Sequence, residues 1–340
     1  MLGNLFRPWL LALVVPELVA AVLAIVATSS ALRVLSLGQA HTTEQALAIE
    51  RRAELVATLF GVASMATLVA LVTQVLGADR LRASVRGAMC AWGVLAGDAW
   101  GFRSLGLALV TALACSAWLA LHRVDLALRT PELTRAKFTM VLVVAPLVVA
   151  NLAAGTLYAL GLDFRMVASC CSTGLEGARG IVLGAGGGAR TTAFAVFAAC
   201  AVVSVLLALA ARRSRSAPLA GAAAISSAIA ALASAPAILG YVAPYAYESP
   251  VHLCPFCLLD GDGHYLGWPL YASLFAATSI GLAAGVGALV SARVHERDAA
   301  WSIASRSLGR MALAWALTIA IALYPIARFA IATDGASLFG

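Results

Sequence analysis

"PWLLALVVPELVAAVLAIVATSSAL", residues 8–32, carries a single charged side chain, Glu17. A helix needs about 20 apolar residues to cross roughly 30 Å of hydrocarbon, so this stretch predicts a membrane span. It is longer than the roughly 7–15-residue apolar core of a cleavable secretory signal and lacks a convincing small-residue cleavage site. It is therefore expected to stay as the first helix.

Working outward, charged breaks separate seven more such blocks, near 54–78, 104–122, 138–160, 191–211, 219–242, 268–292 and 311–332. Of the 340 residues 62% are hydrophobic and 11% charged, with a mean hydropathy of +0.94. Soluble domains carry about a quarter charged residues, so this chain is short of the charge needed to coat a water-facing surface. The expected fold is an all-α, polytopic integral membrane protein with about eight transmembrane helices in one transmembrane domain, 1–340, embedded in a lipid bilayer. Four predicted spans on either side of 161–190 leave room for an internal duplication.

The net charge of +7 does not indicate nucleic acid, because the basic residues are scattered through the loops and not gathered on one face with aromatics. All but Lys137 are arginines, which reads as the bias of a GC-rich bacterial genome and suggests the bacterial inner membrane. In such a protein the basic residues set orientation. Loops one, three, five and seven hold 14 Lys and Arg residues, against 9 in the termini and the other loops. The positive-inside rule then places both termini outside the cytoplasm; Arg80, Arg82 and Arg86, directly after the second span, argue the other way.

Helix parity assigns Cys90 to loop two, Cys170 and Cys171 to loop four, and Cys254 and Cys257 to loop six, all on one face. Cys115 and Cys200 fall mid-helix, where a thiol acts as a small packing residue. In "VHLCPFCLLDGDGHYLG", residues 251–267, Pro255 suits the first turn of a short helix. Cys254 at its N-cap would have its thiolate stabilised by exposed amides, making it the attacking thiol. Cys257 would then resolve a mixed disulfide, and His252 could add positive charge or shuttle a proton. A structural disulfide or a buried reduced pair is the alternative.

The vicinal Cys170 and Cys171 in "SCCSTGLEG" have Cα atoms about 3.8 Å apart, below the roughly 4.4–6.8 Å usual for a disulfide. One of them is expected to face Cys254 or Cys257. "GAMCAWGVLAGDAWGF", residues 87–102, reads as a loop re-entering the membrane edge, with Met89 beside Cys90. "LGAGGGAR", residues 183–190, lacks the strand and the Lys-Ser/Thr of a phosphate cradle and reads as a hinge before the fifth helix. Within the spans, Glu17 is an intramembrane carboxyl and a candidate proton relay; Arg328 could pair with it or snorkel. Asn151 and Gln74 read as interhelical ties. Asp260, Asp262 and His264 could form a cation site or a solvated loop.

With the cysteines placed, the arrangement resembles membrane thiol oxidoreductases of the DsbB and vitamin K epoxide reductase type. The resemblance implies that Cys254 and Cys257 are the membrane-embedded pair and Cys170 and Cys171 the counterpart of the loop pair. It further implies a quinone as second substrate and a thioredoxin-like extracytoplasmic partner. This chain departs from that type in having eight spans, a vicinal second pair and no identifiable quinone motif. The set "GAMC", "SCC" and "HLCPFC" is also similar to that of a group of bacterial polytopic membrane proteins, a likeness that implies no activity.

Three functions stand from the sequence. The first is a thiol–disulfide oxidoreductase using Cys254, Cys257, Cys170, Cys171, His252 and Glu17. The second is a copper or zinc handling protein with a thiolate-rich site of Cys90, Cys170, Cys171, His252, Cys254 and Cys257. The third is a transporter or assembly subunit whose cysteines staple loops.

Overall fold

The computed structural model describes residues 6–36, 43–129, 132–165, 167 and 186–339. Among them eight helices are long and apolar enough to cross a membrane. The protein is an all-α polytopic membrane protein, and each predicted span falls on one of these helices, although Thr43–Leu81 and Arg297–Ala332 start well before the predicted 54 and 311. The chain forms two compact units, Met1–Ala168 and Ser169–Gly340, where a single transmembrane domain is read from the sequence.

The first unit contains α1 (Pro8–Ser36), α2 (Thr43–Leu81), the short α3 (Ala91–Leu95), α4 (Gly101–Asp125) and α5 (Thr134–Gly161). Its four long helices form a ring, α1 packing on α2 and α5, and α4 packing on the same two. Lipid tails are as apolar as leucine, so burial of greasy surface does not drive helices together there, and small side chains that permit close approach do. α1 follows that rule. Ala20, Ala24, Ala27 and Ala31 are buried, whereas Val15, Leu18, Val22 and Ile25 are exposed on its outer face. Larger groups fill the gaps between helices. Phe60 meets Trp118 edge-on with ring centroids 4.7 Å apart, and the Trp118 indole N–H donates to the Lys137 carbonyl at 3.2 Å. Lys137, the lone lysine, forms a buried ion pair with Asp125.

The second unit contains α6 (Gly186–Ser214), α7 (Ala217–Ala237), the single turn α8 (Ala243–Ala246), α9 (Gly267–Ser291) and α10 (Arg297–Ala332). Here α6, α7, α9 and α10 close a ring in the same cyclic order as the first unit's four long helices. The core is again alanine-rich, with Trp315 fully buried and its indole N–H donating to Ser227 Oγ at 2.9 Å. Gly281 lies against that serine, where a Cβ would collide with Ser227 Oγ.

One sequence expectation changes. Gly186, Gly187 and Gly188 form the first turn of α6 rather than a hinge ahead of it. Gly186 has φ +67°, a conformation open to glycine at little steric cost. The 87–102 stretch folds as α3 followed by a turn into α4, burying Ala91, Val94 and Leu95, because its apolar residues find partners within the first unit.

Candidate functional site

The segment between α8 and α9 is built from breakers. Pro250 and Pro255 deny it amide donors, and Gly261 and Gly263 permit close turns. The outcome is a 3-10 turn over Phe256–Leu259 and a second over Gly261–Gly263. The cap of the first turn is Pro255, with φ −72°, so Cys254 lies one residue ahead of the cap position that the sequence assigns to it. The pyrrolidine ring sets a helical φ at Pro255 itself. With only four residues in the turn, little dipole is available to stabilise a thiolate.

Leu258 and Leu259 anchor the turn by burying their side chains almost completely. Three aromatic donors then satisfy its carbonyls. The Tyr271 hydroxyl donates to Pro255 O at 2.6 Å, the Tyr247 hydroxyl to Cys257 O at 2.7 Å, and the Trp268 indole N–H to Leu259 O at 3.2 Å. Buried backbone oxygens need such partners, and a 3-10 turn flanked by prolines offers few of its own. Two glycines let neighbouring backbone press close. A Cβ on Gly263 would stand 2.8 Å from Cys257 O, and one on Gly267 would stand 2.9 Å from the Leu258 carbonyl carbon.

The two sulfurs on this turn lie within 4.8 Å of one another, with no disulfide between them. Cys254 is buried, at 1% exposure, and Cys257 is half-buried. The order of accessibility is the reverse of that expected for an attacking Cys254, because the turn directs Cys254 inward beside Leu253. His252 stacks on the Tyr247 ring with centroids 3.9 Å apart and planes at 17°, so its ring braces the tyrosine that holds Cys257. The Tyr247 hydroxyl is pushed well above the ordinary tyrosine range, by burial first and then by the negative potential of Cys257, Asp260, Asp262 and Cys254.

The rest of the loop is a locked turn. Asp260 accepts from the Gly261 amide through its carboxylate at 2.8 Å and from the Tyr265 amide through its carbonyl at 3.0 Å. His264 and Tyr265 adopt φ of 56° and 53°, which is uncommon for residues with side chains. Arg328 of α10 holds this end, donating to Glu248 Oε1 at 2.8 Å and to His264 Nε2 at 2.7 Å. Arg328 is thus engaged within the second unit. Glu17 has a different partner from the one considered, accepting from Asn151 Nδ2 at 3.1 Å in the first unit.

Cys170 and Cys171 lie outside the described residues. Cys90 belongs to the first unit, buried at the N-cap of α3. Cys115 is buried inside α4 and Cys200 half-buried inside α6. Sequence reasoning missed Tyr247, Trp268, Tyr271, Gly263 and Gly267. Their signal was a density of aromatics and glycines around the Cys-x-x-Cys, which also suits an ordinary membrane-interface loop.

No protein-family model matches the chain, and no curated protein or solved structure matches it. The fold and the site therefore define the class by themselves: a multi-pass helical membrane protein carrying a close dithiol on a braced loop.

Proposed function

We propose that the protein is a membrane thiol–disulfide oxidoreductase of the bacterial inner membrane. Cys254 and Cys257 alternate between dithiol and disulfide, exchanging with Cys170 and Cys171 and with a thioredoxin-like extracytoplasmic protein. The carrying observation is the pair of cysteine sulfurs within 4.8 Å on a turn held by three side-chain donors. A braced turn keeps two sulfurs close without a bond, as a pair that opens and closes in each cycle requires.

Cys257 is the more accessible sulfur and makes the first attack. Its thiolate displaces one sulfur of a partner disulfide, giving a mixed disulfide and a partner thiol. Cys254 then attacks Cys257 and releases the second partner thiol. The new Cys254–Cys257 disulfide carries the oxidising equivalents. In the opposite direction, a partner dithiol reduces the Cys254–Cys257 disulfide and leaves as a disulfide, and a membrane quinone then takes two electrons and two protons from the restored dithiol as it becomes a quinol.

The test is alkylation of purified protein with and without reductant, with metal content measured on the same sample. The expected result is a pair that switches between thiol and disulfide with no bound metal. Cys254→Ser should accumulate a mixed disulfide through Cys257, since the resolving thiol is gone. If the trap forms only in Cys257→Ser, the roles of the two sulfurs are exchanged. About one equivalent of copper or zinc, protecting the thiols from alkylation and lost on mutating Cys254, would replace this reading with a metal site.

A further inference from the structure

The first unit holds a line of polar groups that thiol chemistry does not use. α5 carries Asn151, Gly155, Tyr158 and Gly161 at spacings of four, three and three, which keeps them on one helix face. Asn151 and Tyr158 are each only 2% exposed. The carboxyl of Glu17, also 2% exposed, lies against Gly155, where any Cβ would collide with its Oε2. The carboxylate of Asp98 lies in the same way against Gly161. Two carboxyl groups thus flank Tyr158, at positions about 9 Å apart along the helix axis.

The bonding around Glu17 is incomplete. Its Oε1 accepts from Asn151 Nδ2, while Glu17 Oε2 and Asn151 Oδ1 are both buried with no hydrogen-bond partner among the described residues. An unmatched buried oxygen costs roughly 1–3 kcal/mol, and two side by side are unusual in a helix pair tied only for strength. Pro16, the residue before Glu17, also removes an amide from α1, so the Ala12 carbonyl loses its helical donor. Among the described residues the Tyr158 hydroxyl makes one long bond, 3.4 Å, to Val94 O. It can leave that bond at little cost.

We propose that Glu17 is an exchangeable proton-binding site in the interior of the first unit, reached from the α3–α4 end through Asp98 and the Tyr158 hydroxyl. Glu17 carboxylate takes the hydroxyl proton of Tyr158 as Tyr158 takes one from Asp98, and Asp98 is reprotonated from water. No electrons move. Asn151 positions the carboxyl by donating to Oε1, and Gly155 supplies the space. The inference does not rest on the redox reading of the second unit, and its test involves no cysteine.

The full-length protein is treated with dicyclohexylcarbodiimide, which attacks protonated carboxyls in apolar surroundings, and its peptides are weighed. An adduct on Glu17 is expected, and none on that peptide in Glu17→Gln. Infrared spectra should show a protonated-carboxyl band that Glu17→Gln removes. On transfer to deuterated water the band should shift quickly in the wild type and roughly a hundredfold more slowly in Tyr158→Phe, near the lower end of what a positioned proton donor contributes. Asp98→Asn should slow it likewise. Absence of the Glu17 adduct overturns the site. Exchange at the wild-type rate in both Tyr158→Phe and Asp98→Asn overturns the route. Should Glu17→Gln fail to fold, wild-type labelling and the Tyr158→Phe exchange rate still decide.

Discussion

At the scale of single residues, the Cys-x-x-Cys turn depends on groups that carry no redox chemistry. Removing the Tyr271 hydroxyl strands Pro255 O, and Tyr271→Phe is expected to lower stability by about 1–3 kcal/mol, measured by chemical denaturation in detergent. Gly263→Ala should be worse for function than for folding. Its Cβ meets backbone, Cys257 O and Leu258 Cα, so the turn must shift; the expected result is a folded protein whose Cys254 and Cys257 no longer form a disulfide with each other. Tyr247 gives a pH signature. Its folded-state pKa is raised, so its donor bond to Cys257 O persists through neutral and mildly alkaline pH. The stability it contributes disappears only in strong base, as pH rises through that raised value. Tyrosinate absorbance of the wild type and Tyr247→Phe should therefore coincide up to about pH 10, where unperturbed tyrosines titrate. An extra tyrosinate in the wild type below that pH would show that the burial is misassigned.

At the scale of elements, one ion pair ties two helix ends together and another ties a helix to a loop. Lys137 and Asp125 join the facing ends of α5 and α4, with side chains 7% and 11% exposed. Breaking one partner of such a pair leaves an uncompensated buried charge, so Lys137→Met should cost about 3–5 kcal/mol. The double variant with Asp125→Asn should recover much of that loss. Arg328 differs, because its bond to Glu248 is partly exposed and contributes at most about 1 kcal/mol. Its role is local. Arg328→Gln should leave the midpoint of unfolding nearly unchanged, yet raise amide hydrogen exchange across 247–266, where His264 and Tyr265 are held at positive φ. Unchanged exchange there would mean that the Asp260 turn suffices by itself.

At the scale of the whole molecule, the eight membrane-length helices among the described residues divide between two four-helix rings with the same internal order. A thiol chemistry that works with an extracytoplasmic partner needs the loop between α8 and α9 outside the cytoplasm, the side that the excess of basic residues in the odd-numbered loops favours for it. An impermeant maleimide added to intact, gently reduced cells should label Cys257. Labelling confined to inverted vesicles would place that loop in the cytoplasm and remove the partner from the proposal.

The spans were legible in the sequence because hydrocarbon length and the cost of charge in lipid act on every residue of a block, whatever it packs against. The placement of Glu17 inside α1 and the proximity of Cys254 to Cys257 followed from chain position alone. Which face of each helix turns inward did not. Both faces of α1 are apolar, and the distinction between Ala24 inside and Ile25 outside is one of size, which no polarity pattern records. The braces of the site were hidden for a related reason. Tyr247, Trp268 and Tyr271 act on backbone carbonyls, which every residue possesses, so only folding determines which oxygen each donor meets. The same holds for Glu17. Its position in a span was readable, but its bond to Asn151 and its seat at Gly155 join α1 to α5 across more than 130 residues of chain. Only the packing of the first ring brings them together.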